Sequence, residues 1–320
     1  MQILNSFSAF AQIGGSSKST LVQAVEAGVV LSGRKVCVVD ADPANAGYTV
    51  TTGAEHSVKL RALARDGTII KFVRDAAAAG STVLTDCGAG TLSMDAEFIF
   101  AMSDFYAELG SAGYTHVTAI PITSNKAVSE DITRASIKRH VQYGEVVVVK
   151  TDVSRSGNFP SWLTGLGQPI VDFRCIAAGF IDLRLRSKMP LSSWLTSDDT
   201  DQHFAKAAFA AAAIDLLSAP SFTHLVTSAG LANLTAIKNR VSAGWIHNPA
   251  SAADGVDAVV AQLILRALAY KDLGKAARAD PTHPYRPIVD LDAGIADLVR
   301  DAALKYPPIG PADDRDQAAS

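Results

Sequence analysis

The stretch AQIGGSSKST, Ala11 to Thr20, decides how the rest of the chain reads. It brings two glycines, a lysine and four hydroxyl residues to the start of an apolar helical pattern. A Gly-rich turn entering a helix offers backbone N–H groups and the positive end of the helix dipole to an anion. Gly14 and Gly15 permit close backbone approach, Lys18 is placed to neutralise β- and γ-phosphates, and Ser19 to ligate Mg2+. Ser16, Ser17 and Thr20 complete the candidate nucleotide-binding loop. The spelling G-x-x-x-x-G-K-[ST] nevertheless fails, because Gln12 and Ser17 stand where it wants glycine. Taken alone, the stretch reads equally as a small-residue turn between a strand and a helix.

Working outward, TLVQAVEAGVVLSG reads as a helix stopped at Gly33. KVCVVD (Lys35–Asp40), STVLTDCGAG (Ser81–Gly90), HVTAIPIT (His116–Thr123) and EVVVVK (Glu145–Lys150) read as buried strands, short and rich in β-branched residues. Helical patterns such as KFVRDAAAAG and VSEDITRASIKRHVQYG lie between them. This alternation predicts an α/β fold, doubly wound, with a mostly parallel sheet and helices on both faces. Such a sheet binds ligands at the carboxyl ends of its strands.

Three acids fall at those ends. Asp40 and Asp42 close the second strand in VVDADPAN, and Asp86 closes a later one in LTDCGAG. Acids so placed can hold Mg2+ directly or through water and can orient an attacking water. Gly88 and Gly90 would admit a γ-phosphate close to the backbone. A lone Asp of this kind is more often a turn former, but three in order after the loop make coincidence a poor account.

The order AQIGGSSKST, VVDADPANA, VLTDCGAG resembles the deviant Walker A ATPases that include ParA and MinD, over roughly Met1 to Ser218. Within that family DADPANAGYT and DCGAG are most similar to the TraL- and StbB-like ATPases of conjugative plasmids. The resemblance implies that Lys18, Ser19, Thr20, Asp40, Asp42 and Asp86 are nucleotide, magnesium and catalytic positions. It implies ATP and Mg2+ as cofactors, Ser19, Asp40 and Asp86 arranging the metal, and Asp42 orienting or deprotonating water. It also implies an ATP-dependent homodimer serving plasmid partition, conjugative transfer or related positioning of DNA or protein cargo. Two residues depart from the family loop, typically K-G-G-x-G-K-[ST]. Ile13 replaces a lysine that reaches across the dimer, and a supplied cation there is worth several orders of magnitude in rate. Ser17 replaces glycine, at a strain of about 1–2 kcal/mol if the position needs positive φ. A non-hydrolysing nucleotide-dependent adaptor therefore stands as the alternative. A carboxylate-activating ligase or kinase on the same fold is a third reading, with no acceptor motif behind it.

Lys150 and Asp152 in VVVVKTD are candidates to read a purine base, against ordinary strand-end charges. Arg184, Arg186 and Lys188 in IDLRLRSKMPLSSW are candidates for DNA phosphate contact, with both arginines on one face if the piece is extended. A solvated surface is the competing reading.

With 320 residues, 48% of them apolar, the chain can fill one large core or two. A net charge of −3 argues against bulk attraction to nucleic acid or acidic membranes. The opening MQILNSFSAF lacks the pattern of a secretory leader, and three cysteines without ligand spacing suggest reduced thiols. A cytoplasmic protein without membrane binding is the expectation. Residues 1–220 are expected to form the nucleotide-binding domain, 221–306 a helical extension and 307–320 a disordered tail.

Overall fold

In the computed structural model the described residues are 3–246, excepting 12–14, 16, 43–45, 89–95, 125–127, 152–157, 175, 177 and 199–201. Seven strands make one sheet: β1 (Leu4–Ala9), β2 (Val36–Ala41), β3 (Val58–Lys59), β4 (Thr82–Cys87), β5 (Tyr114–Thr123), β6 (Glu145–Thr151) and β7 (Ile170–Phe173). Their order is β3-β2-β4-β1-β5-β6-β7, and every pairing is parallel. The fold is therefore the expected doubly wound α/β type, with its winding reversing at β1. That reversal opens a crevice at the carboxyl ends of β1 and its neighbours.

Ten α-helices are formed among the described residues: α1 (Lys18–Leu31), α2 (Gly47–Thr52), α3 (Leu60–Arg65), α4 (Ile69–Ala78), α5 (Ala96–Ser111), α6 (Glu130–His140), α7 (Ala178–Arg186), α8 (Leu191–Thr196), α9 (His203–Leu217) and α10 (Ser228–Ile246). Period-two alternation sorts the strand side chains between the two faces. Val38 and Leu84 point to a core shared with Leu21 and Val25 of α1, Trp194 of α8 and Phe209 of α9. Val39 and Val83 point the opposite way, to Leu63 of α3, Val73 of α4 and Phe105 of α5. Ile120, Ile122, Val146 and Val148 form a third cluster with Ile137 of α6.

The apolar stretch around Phe204–Ala219 is the buried helix α9; its Lys206 reaches the Ser197 carbonyl at 2.6 Å and hydroxyl at 2.9 Å. No helix among the described residues is long and apolar enough to cross a membrane.

β1 departs from the aliphatic pattern of its neighbours. Phe7 and Ala9 face one core, whereas Ser6 and Ser8 face the other and are buried. Ser6 Oγ hydrogen-bonds His116 Nδ1 at 2.8 Å, and Ser8 Oγ hydrogen-bonds His116 Nε2 at 3.2 Å and Thr118 at 3.2 Å. The polar groups are thereby satisfied inside the sheet, the condition for burying them at little cost. Burial pushes the His116 imidazole down to about 3, so it is a neutral bridging group at ordinary pH.

The chain separates into a compact unit, Met1–Ser242, and a second, Ala243–Ser320. Phe222, Leu225, Leu234 and Ile237 are buried in the core of the first unit. The helical patterns read beyond residue 250 and the polar tail lie outside the described residues.

Candidate functional site

Parallel register aligns the ends of three strands. Ala9 of β1 stands opposite Asp86 of β4, and Asp86 stands opposite Asp40 of β2. The loop leaving β1 thus enters α1 directly beside two carboxylates. α1 begins at Lys18, with Ser17 as its N-cap. Ser17 is left-handed, at φ 67° and ψ 18°, and its side chain makes no capping bond. Gly15 is also left-handed, at φ 68°. The first turn of α1 holds no acid. A lysine in the first turn of a helix, at its positive end, adds its charge to that of the helix dipole, an arrangement suited to a bound anion.

Lys18 is 8% exposed, so its stem is packed. Ser19 donates its hydroxyl to Asp86 Oδ2 at 2.6 Å. Asp86 is buried, and its Oδ1 has no hydrogen-bond partner. Burial is the main cause that pushes its carboxyl up to about 7; the charges of Asp40 and Asp42 raise it further, while the Ser19 bond and the charge of Lys18 oppose the rise. A hydroxyl, a lysine and three acids therefore share one small volume.

The other acids are held differently. Asp40 is buried and accepts three hydrogen bonds: Asp42 N–H at 3.0 Å, Thr49 N–H at 2.9 Å and Thr49 O–H at 2.7 Å. It fastens the turn between β2 and α2. Asp42 lies against the chain after β4, for a Cβ added at Gly88 would stand 2.8 Å from Asp42 Oδ1.

Gly47 is a site residue that motif reading missed. A Cβ there would stand 2.9 Å from Ser19 Oγ and 3.5 Å from Asp86 Oδ2. Thr49 was missed as well, although GYT directly follows the DADPANA motif. Gly14, Ser16 and Ile13 lie outside the described residues, and Thr20 is half-buried in the first turn of α1.

The remaining candidates do not join this cluster. Lys150, at the end of β6, places its Nζ 5.4 Å from the centre of the Phe159 ring and 3.6 Å from Asp172. Asp152 lies outside the described residues. The basic segment is not extended: Arg184 and Arg186 belong to α7 and Lys188 to the connection before α8, so the condition for a common face of the two arginines is not met. Arg184 is 1% exposed, so it cannot reach a phosphate on the surface. Its charge is drawn to Glu26 of α1, and burial lowers its guanidinium to about 10. Arg186 is exposed, and Lys188 donates to the Val50 carbonyl at 3.3 Å. Glu26, missed from sequence, is buried too and accepts from Ser192 N–H at 3.1 Å and Ser192 O–H at 2.5 Å. Its only signal was an acid within the apolar run QAVEAGVV. Cys87 is wholly buried, with its thiol pushed up to about 12 by burial, which fits a filler and not a nucleophile.

The donor set fits a hard divalent cation bound jointly with phosphate. Among the described residues no group of three or more His, Cys, Asp or Glu side chains is arranged to hold a metal. Mg2+ does not need one, since it takes one or two carboxylates, with waters and substrate phosphates completing its shell. Asp86 Oδ1, buried and without a hydrogen-bond partner among the described residues, and Ser19 Oγ are oxygens whose chemistry suits such an ion.

No known family model and no curated protein matches the sequence. Among solved structures, the chain is similar to the MinC:MinD cell division protein complex of Aquifex aeolicus, at 14% identity and a TM-score of 0.44, covering 67% of this chain and 96% of that one. It is similar to a nucleotide-binding protein of Archaeoglobus fulgidus in complex with ADP, at 16% identity and 0.38, covering 59% and 88%. It is also similar to chloroplast FtsY of Physcomitrella patens, at 17% identity and 0.38, covering 52% and 57%. At these TM-scores the likenesses carry no weight for function, which rests on the residues themselves.

Proposed function

We propose that the chain is a Mg2+-dependent ATP-binding protein of the ParA/MinD type. One observation carries the reading: Ser19 Oγ meets Asp86 Oδ2 at 2.6 Å in the first turn of an uncapped helix that begins with Lys18. Lys18 and the N–H groups of that turn hold the phosphates. Ser19 and Asp86 hold Mg2+, which supplies positive charge to the phosphate oxygens. Asp40 keeps the Asp42–Thr49 turn in place through its three hydrogen bonds. Asp42 orients the attacking water. In this reading a nucleotide-controlled homodimer, in the cytoplasm, serves plasmid partition, conjugative transfer or related positioning of DNA or protein cargo.

A second reading is favoured by Ile13, whose apolar side chain cannot stabilise a transferring phosphoryl group. Here ATP or ADP acts only as a conformational switch for an adaptor. Steady-state ATP hydrolysis by the wild type and Lys18→Ala, with and without DNA, separates the two. Turnover lost in Lys18→Ala supports an ATPase, and stimulation of that turnover by DNA supports the cargo role. Binding without turnover under every condition supports the adaptor.

A further inference from the structure

On the face of the sheet that carries α3, α4 and α5, the helix α5 presents an unbroken stripe at helical spacing: Glu97, Phe100, Ala101, Asp104, Ala107 and Glu108. With Ile70 at the start of α4 it lines a groove of about 660 Å³. Phe100 is 67% exposed and Ile70 is 46% exposed. Isolated exposed apolar side chains are ordinary, but two large ones flanking one concave surface form a patch. The floor is firm, because the Phe72 ring of α4 lies 6.5 Å from the Phe105 ring of α5, beneath the stripe.

The lining of the groove carries charge of one sign. Three of the lining residues are acids and none is Lys or Arg. Of the nearby cations, Arg65 pairs with Asp66 at 3.0 Å, Lys71 pairs with Asp75 at 2.5 Å, Arg61 lies over the Phe98 ring, and Arg74, one turn after Ile70 on α4, is exposed outside the lining. None of the three groove acids forms an ion pair among the described residues.

We propose that this groove docks a basic amphipathic helical segment of a partner protein. Its apolar residues, at i, i+3, i+4 and i+7, lie on Phe100 and Ile70, and its flanking Lys or Arg residues meet Glu97, Asp104 and Glu108. The stripe spans about three helical turns, or roughly 16 Å, which sets the partner segment at about 12 residues. An apolar centre with a charged rim is the usual anatomy of such contacts, and the opposed charges select the partner and its direction. The surface is independent of the nucleotide reading.

The test uses the full chain and a fluorescein-labelled 12-residue probe with leucine at positions 1, 4, 5 and 8 and lysine elsewhere. Fluorescence anisotropy is read against a scrambled peptide of equal composition and a version with Glu for Lys. The expected Kd is on the order of tens of micromolar at low salt, typical of a small transient contact. It weakens at least tenfold in Phe100→Ser and in Glu97→Lys/Asp104→Lys, and it weakens as salt is raised. Both variants alter exposed positions, and an unchanged thermal melt shows that they fold. Equal binding of the scrambled or acidic peptide, unchanged affinity in Phe100→Ser, or no binding of the probe would overturn the proposal. Sedimentation showing self-association of the wild type alone, lost in Phe100→Ser, would assign the groove to a second copy and overturn it equally.

Discussion

Ser17 shows how one residue carries both a sequence departure and a structural cost. Its left-handed backbone, φ 67°, is the conformation for which the family loop uses glycine. Ser17→Gly removes about 1–2 kcal/mol of local strain but adds unfolded-chain freedom of about 0.5–1 kcal/mol. The expected net is a stabilisation of about 0.5–1 kcal/mol in urea unfolding; a loss of stability would show that the serine hydroxyl is needed where it is. Gly47 is the opposite case, a residue whose missing side chain matters. Gly47→Ala pushes a methyl onto Ser19 Oγ, 2.9 Å away, and so displaces the oxygen assigned to Mg2+. The variant is expected to lose about tenfold in Mg2+-dependent ATP affinity, roughly 1.4 kcal/mol, while keeping its melting temperature. Unchanged affinity would remove Ser19 from the metal site. Asp40, Asp42 and Asp86 stood out because they close apolar runs, and Lys18 and Ser19 because a Gly-rich turn leads them into a helix. Gly47 was not, because a close approach leaves no mark in a one-dimensional pattern.

At the scale of elements, β2, β4, β5 and β6 were legible as aliphatic runs, whereas β1 was hidden by Ser6 and Ser8. Their hydroxyls are answered by His116 and Thr118 on β5, so the evidence for burial lies about 110 residues away in sequence. β3 and β7 are edge strands of two and four residues, too short to show a period. The stretch IDLRLR alternates like a strand yet folds as part of α7, with Arg184 buried and its Nη1 donating to Ser187 Oγ at 3.1 Å. Glu26 of α1 and Arg184 of α7 act on each other through charge, with no ion-pair contact among the described residues, and Ser192 ties α8 to the Glu26 carboxylate. Arg184→Met removes the cation nearest the buried Glu26 together with two nitrogens that have no hydrogen-bond partner among the described residues, and is expected to cost about 1–3 kcal/mol. The double change Glu26→Gln/Arg184→Met is expected to cost less than the sum of the single changes, as a double-mutant cycle in urea would register. Additive costs would mean that the two groups do not interact.

Glu26 has a pH signature. Burial raises the folded-state pKa of Glu26 above its ordinary 4.5, against the lowering effects of Ser192 and Arg184. The folded protein thus binds the proton more tightly than the unfolded chain. Stability from this group is complete below about pH 4.5 and is lost as pH rises through the raised value. Glu26→Gln cannot ionise, so its stability relative to the wild type should grow from pH 4.5 upward. A difference that shrinks with pH would reverse the sign assigned to the burial effect.

For the molecule as a whole, parallel winding around β1 places the loop, the α1 terminus, Asp40 and Asp86 at one edge of the sheet. That edge was foreseeable from strand order alone, since alternating buried strands and helices leave few topologies. The cargo was not foreseeable, because the basic segment meant to reveal it buries its first arginine. The central claim is that this edge binds a Mg2+-nucleotide. Its most direct test is calorimetric titration of ATP into the full chain, with and without Mg2+, for the wild type and Lys18→Ala. The account predicts micromolar binding to the wild type, weakened at least a hundredfold, about 2.7 kcal/mol, without Mg2+ or in Lys18→Ala. No heat from the folded wild type, or equal affinity in Lys18→Ala, would contradict it.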